Sequence, residues 1–112
     1  MENRPMTATT TTRPIVTLPA EIDATNSSQV EADLAAACVP GASAVVADLS
    51  GTTFCDSSAV RALVHAHQLA SSRGIEFRLV VTAYPVLRIF ELTGLKEVLR
   101  LYPTIDAALG HG

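Results

Sequence analysis

The chain has 112 residues, 48% of them hydrophobic, which is enough for one domain with a core of its own and no need of disulfide or metal staples. Its formal net charge is −3 and Lys and Arg are scattered, so the basic footprint that nucleic acid or an anionic membrane surface requires is missing. Two cysteines, Cys38 and Cys55, and three histidines lack the number and spacing of a disulfide framework or a zinc site; reduced thiols, no metal and no cofactor are expected.

Residues 1–13 hold MTATTTT between two prolines, a polar low-complexity stretch with little to bury. It is expected to be a disordered tail ahead of a single domain over 14–110. No charged-then-apolar leader and no apolar run of roughly 18 residues occurs, so a soluble, cytoplasmic protein is expected. The alternating IVTL at Ile15–Leu18, stopped by Pro19, predicts a first strand. Asn26, Ser27 and Ser28 offer caps for a helix carrying Val30, Leu34, Ala37 and Cys38 on one face, and Pro40-Gly41 ends it. AVVADL at Ala44–Leu49 is short, apolar and β-branched, as befits a central strand covered on both faces.

A loop over Ser50–Asp56 leads into an amphipathic helix with the stripe Ala59, Leu63, Ala66 and Ala70, closed at Gly74. Glu76–Val81 predicts another strand, and Val86, Ile89, Phe90 and Thr93 a third helix that Gly94 caps in left-handed conformation. A short strand at Val98–Leu101 and a helix at Thr104–Leu109 complete the order. Strands alternating with helices imply an α/β fold: a mainly parallel or mixed sheet of four to five strands with about four helices packed against it.

Most chemistries that could use such a fold lack their residues. Neither GxGxxG nor GxxxxGK[ST] is present, which argues against a built-in nucleotide site, and neither serine of CDSSA sits in GxSxG as a hydrolase nucleophile would. His65 and His67 are the available bases, but His67 falls at the edge of the apolar arc and reads as packed. Cys55, just ahead of a helix, could carry a lowered thiol pKa, although a small residue between Phe54 and a helix start reads first as core. DLSGTTFCDSSAVRAL at Asp48–Leu63 puts an acid and two hydroxyls at a strand-to-helix junction. On residue chemistry alone it reads first as a helix cap, with Asp56 or Ser57 accepting free amides; a phosphorylation switch is the second reading, since a helix N-terminus tolerates negative charge.

These residues resemble the STAS family, whose anti-sigma factor antagonists carry Asp-Ser-Ser/Thr-Gly-Leu at the start of a helix after a strand and short loop. The match is Asp48, Ser50, Phe54, Asp56, Ser57, Ser58 and Ala59-Val60, joined by AEID at Ala20–Asp23 and by Phe90 and LTGL at Leu92–Leu95, over roughly Ile15–Leu109. The resemblance implies a non-enzymatic binding switch. Unphosphorylated, it would bind an anti-sigma factor serine kinase and free a sigma factor; phosphorylation of Ser57 would end binding and a phosphatase would restore it. Asp23, Asp56, Ser57, Ser58, Ala59 and Arg61 are the expected partner-binding residues of a monomer. Ala59 stands where the family has glycine, and its methyl raises the question of crowding against the kinase. A STAS accessory or scaffold subunit of a transport or signalling complex is the alternative, and an enzyme or redox protein using Ser57, His65 or Cys55 a third.

Overall fold

Aliphatic residues crowd two six-residue segments, and these form the middle of the sheet. The computed structural model describes residues 12–110. Its elements in chain order are β1 (Ile15–Thr17), β2 (Glu21–Ile22), α1 (Ser27–Ala37), β3 (Ala44–Leu49), β4 (Phe54–Cys55), α2 (Ser57–Ser72), β5 (Glu76–Val81), α3 (Tyr84–Thr93), a 3-10 turn (Leu95–Glu97), β6 (Arg100–Tyr102) and α4 (Ile105–Leu109). The main sheet runs β1-β3-β5-β6 and β2 pairs with β4 in a separate two-stranded sheet. Every one of these pairings is parallel.

Register decides which residue faces which layer. Val45, Ala47 and Leu49 of β3 and Phe77, Leu79 and Val81 of β5 point into the main core, where they meet Val30 and Leu34 of α1, Leu63, Ala66 and Ala70 of α2, and Val86 and Phe90 of α3. The alternate residues Val46 and Val80 face the other way and pack on Ala108 of α4. Three helices therefore cover one face and a single short helix the other. This is why β3 reads as an apolar run, interrupted only by Asp48 near its end, and not as an alternation.

A five-residue helix is marginal by itself. α4 is fastened at both ends: Thr104 Oγ1 accepts from the Ala107 N–H, while Arg78 and Arg13 donate to the carbonyls of Ala108 (2.7 Å) and Leu109 (2.6 Å). Arg13 belongs to the tail expected to be disordered. Residues 1–11 of that tail lie outside the described residues, but Thr12 and Arg13 are held, Thr12 by backbone bonds to Gly41 and Ser43.

Other boundaries also move. β1 stops at Thr17, one residue early, although the Leu18 N–H still bonds to Asp48 O at 3.0 Å and its side chain is buried. The strand expected at Val98–Leu101 begins at Arg100, because Gly94 (φ +76°) opens a 3-10 turn whose continuation ties the Leu99 N–H to Leu95 O at 2.7 Å. Asn26 occupies the cap position of α1 without capping it. Its side chain instead donates to Glu21 O (2.8 Å) and accepts from the Asp23 N–H (3.0 Å), which fastens the β2–α1 loop.

The β2–β4 sheet lies within what the sequence presents as loop, and Thr52 secures it. Thr52 is fully buried, and its hydroxyl donates to Pro19 O at 2.8 Å while the neighbouring Thr53 N–H bonds Ala20 O at 2.8 Å. Thr52→Val keeps the shape but leaves the Pro19 carbonyl unpaired, and should destabilise the domain by about 1–3 kcal/mol with unchanged m-value in urea unfolding. A loss below the error of the fit would show that the contact does not hold the two segments together.

Candidate functional site

The C-terminal ends of parallel strands leave a rim on which loops and helix N-termini gather. Here that rim carries the 23–26 loop, the 50–53 loop, β4 and the start of α2. Asp56, in extended conformation (φ −108°, ψ −169°), is the N-cap of α2. Its Oδ1 accepts from the N–H groups of Ser58 (2.9 Å) and Ala59 (3.1 Å) and from the Ser58 hydroxyl (2.5 Å). The Asp56 N–H in turn bonds Ile22 O at 3.2 Å, which ties the end of β2 to the start of α2. The Ser58 hydroxyl bond foremost, with the Ala59 and Ser58 amides, holds the Asp56 carboxyl below the usual carboxylate range.

The two serines are thereby separated. Ser58 spends its hydroxyl on Asp56 and is half-buried, whereas Ser57 is exposed in the first turn and its hydroxyl makes no hydrogen bond among the described residues. The cap is Asp56 and not Ser57. Asp23 is half-buried in the adjoining loop, accepting from the Thr25 N–H (2.9 Å) and hydroxyl (2.5 Å). Asp48 closes the turn after β3 by accepting from the Ser50 N–H at 2.9 Å. Arg61 is exposed on α2 four residues beyond Ser57, the spacing that puts two side chains on one helix face.

Ala59, expected among the partner-binding residues, is fully buried within the main core, so its methyl points inward with the rest of the apolar stripe of α2 and not out at the rim. The histidines do not join the serines: His65 Nδ1 lies 3.2 Å from Glu31 Oε1 on α1, and the His67 ring packs on Phe77 with centroids 6.4 Å apart. Cys55 is buried and its thiol is pushed up to about 11 by desolvation and by the Asp56 charge, the opposite of an activated thiol. Cys38, buried at the end of α1, is likewise raised by desolvation. Among the described residues no cluster of His, Cys, Asp and Glu could hold a metal ion, and no helix is long and apolar enough to cross a membrane.

Residue patterns did not reveal Phe54 as an outward-facing strand residue. A cap acid leaves a readable signal through its position; a two-residue strand leaves none.

Sheet, helices and a capped Ser-Ser rim define a small α/β domain built around one helix N-terminus. Residues 4–108 match the STAS domain family, and the chain belongs to it. A candidate anti-anti-sigma factor of Mycobacterium tuberculosis is 42% identical over 78 residues, 70% of this chain and 53% of that protein. The chain thus spans about half the length of that relative. RsfA of the same species, an anti-sigma-F factor antagonist, is 36% identical over 92 residues, covering 80% of this chain and 71% of RsfA. Among solved structures, an anti-sigma factor antagonist from Mycobacterium paratuberculosis superposes with a TM-score of 0.77 at 29% identity, over 86% of this chain and 81% of that one. A Thermotoga maritima protein does so at 0.76 and 23% identity, over 90% and 89%, a likeness of fold.

Two consequences follow from the cap and the thiols. Because Asp56 is depressed on folding, its stabilisation is complete above the unfolded carboxylate pKa near 3.9 and is lost as pH falls through the folded value. Asp56→Ala should therefore be less stable than the wild type at pH 6, with the gap closing progressively below about pH 4 in urea titrations. A gap independent of pH would mean that the carboxylate charge does not cap the helix. With a pKa of about 11 and a buried sulfur, Cys55 should stay unreactive to a disulfide reagent in the native protein at pH 8, both thiols titrating only after denaturation. Rapid native labelling of Cys55 would contradict its placement in the core.

Proposed function

We propose that this chain is an anti-sigma factor antagonist, switched by phosphorylation of Ser57. The observation that carries this is the Ser57 hydroxyl, exposed and unused at the start of a helix that Asp56 already caps, in a chain 36% identical to the anti-sigma-F factor antagonist RsfA over 80% of its length. Unphosphorylated, the rim of Asp23, Asp56, Ser57, Ser58 and Arg61 binds a kinase-type anti-sigma factor, and the sigma factor is released. The kinase supplies ATP and transfers its phosphate to Ser57; a phosphatase reverses the transfer. This chain is then partner and substrate, not catalyst, and works in the cytoplasm.

Phosphate would add about −1.5 to −2 charges at a point where free amides and the helix dipole tolerate them, so the fold persists. At the partner surface the same charge, lying beside Asp56, must be desolvated against groups chosen for a neutral hydroxyl, and binding fails.

Intact-mass spectrometry of the protein from its own cells, with fragmentation, should find one phosphate on Ser57. Purified Ser57→Ala should bind the anti-sigma factor and resist phosphorylation, and Ser57→Asp should lose about tenfold or more in affinity. Protein unmodified in growing and stressed cells alike, with no anti-sigma factor bound, would overturn this reading in favour of an accessory or scaffold subunit.

A further inference from the structure

The chain has three Phe and two Tyr, and their placement is uneven. Phe77 and Phe90 are in the core and Tyr102 is half-buried, but Phe54 is 50% and Tyr84 68% exposed. Both exposed aromatics lie on the rim that carries Ser57. β4 has two residues, of which Cys55 points into the core and Phe54 outward. Tyr84 opens α3, which packs on β4, and the Thr82 hydroxyl just before it donates to Ser50 O at 3.0 Å, tying the β5–α3 loop to the β3–β4 loop. The other large exposed apolar residues lie towards the opposite end of the sheet: Ile15 starts β1, Val39 and Val98 precede β3 and β6, and Leu92 ends the returning α3. A solvated two-residue strand gains nothing from an outward phenyl ring, whereas a binding surface does, since aromatic side chains dominate interface hot spots.

We infer that Phe54 and Tyr84 are the affinity anchors of the partner interface, entering an apolar recess with a basic rim on the anti-sigma factor, an inference that rests on the reading proposed above. Charge selects this occupant. Glu21 stands opposite Phe54 in the β2–β4 register, and Asp23 and Asp56 follow in the adjoining loops. The nearest cations in sequence are Arg61 and Arg88, and Arg88 is already paired with Glu91 at 3.8 Å. A second copy of this chain would set carboxylates against carboxylates around the same rings, which disfavours self-association through this face. A partner with Lys and Arg around an apolar recess meets both features.

The division of labour is then physical: apolar burial at Phe54 and Tyr84 sets affinity, and charge at Ser57 sets the switch. The test uses the anti-sigma factor captured from the host by Ser57→Ala protein, identified and then purified. Phe54→Ala and Tyr84→Ala should each weaken its binding by about 10–100-fold, mostly through faster dissociation and with little change in salt dependence. Their thermal midpoints and circular dichroism should match the wild type, and Tyr84→Phe and Phe54→Leu should recover most of the affinity. Binding within twofold of wild type for both alanine variants overturns the inference while leaving the switch intact. So does a concentration-dependent dimer that Phe54→Ala dissolves, which would assign the face to a second copy. Wild-type protein that binds no anti-sigma factor instead removes the proposed function, a result that cannot be confused with either.

Discussion

The Asp56 carboxylate takes hydrogen bonds from the first turn of α2, and the Asp56 N–H bonds Ile22 O at the end of β2. That one residue does two structural jobs. It satisfies amides that any helix start leaves open, and it ties β2 to the start of α2, so that the loop carrying Asp23 and the turn carrying Ser57 share one rim although neither side chain bonds to the other. The arrangement of the serines follows from it as well. Ser58 is consumed by the cap, and Ser57, beside it, is left with a hydroxyl that nothing within the described residues engages.

The rim is made of very short pieces, yet it is not loose. β2 and β4 have two residues each, too few to form a stable pair alone, and they are fixed because their flanks are bonded to the backbone on both sides. The buried Thr52 hydroxyl holds Pro19, the Thr53 and Phe54 amides hold Ala20, and the Asp56 N–H holds Ile22 O at 3.2 Å. Backbone-to-backbone and hydroxyl-to-backbone bonds depend little on side-chain identity. A surface built this way can vary its outward residues, such as Glu21 and Phe54, while its geometry stays put.

The same reasoning explains what could and could not be read from the amino-acid order. β3 and β5 announce themselves because six apolar or alternating residues are a pattern; α2 does so because Ala59, Leu63, Ala66 and Ala70 repeat at helical spacing and all turn out buried. The cap at Asp56 was legible as one of two candidates, with Ser57, from its place just ahead of that helix. β2, β4 and the 3-10 turn at Leu95–Glu97 were not, since two or three residues carry no period and are set by tertiary hydrogen bonds. Asn26 misled for a related reason: its residue type suits a cap, but Glu21 O and the Asp23 N–H offered it better-placed partners. Ala59 was readable in two ways, as part of the Ser-Ser motif and as the first residue of the apolar stripe, and its burial follows the stripe.

A switch that works by charge needs a site where charge is cheap for the fold and costly for the complex. A helix N-terminus favours a nearby anion by about 0.3–1 kcal/mol, a small effect that screens away within a turn. Misplaced like charge at a desolvated interface costs several kcal/mol. A phosphate on Ser57 would sit between these two magnitudes: held without strain by the first turn of α2, next to a carboxylate whose own hydrogen bonds keep it ionised. On the proposed reading no conformational change would be required to end binding: the phosphate would alter the field at the rim, above the buried core that runs from Ala59 to Phe90.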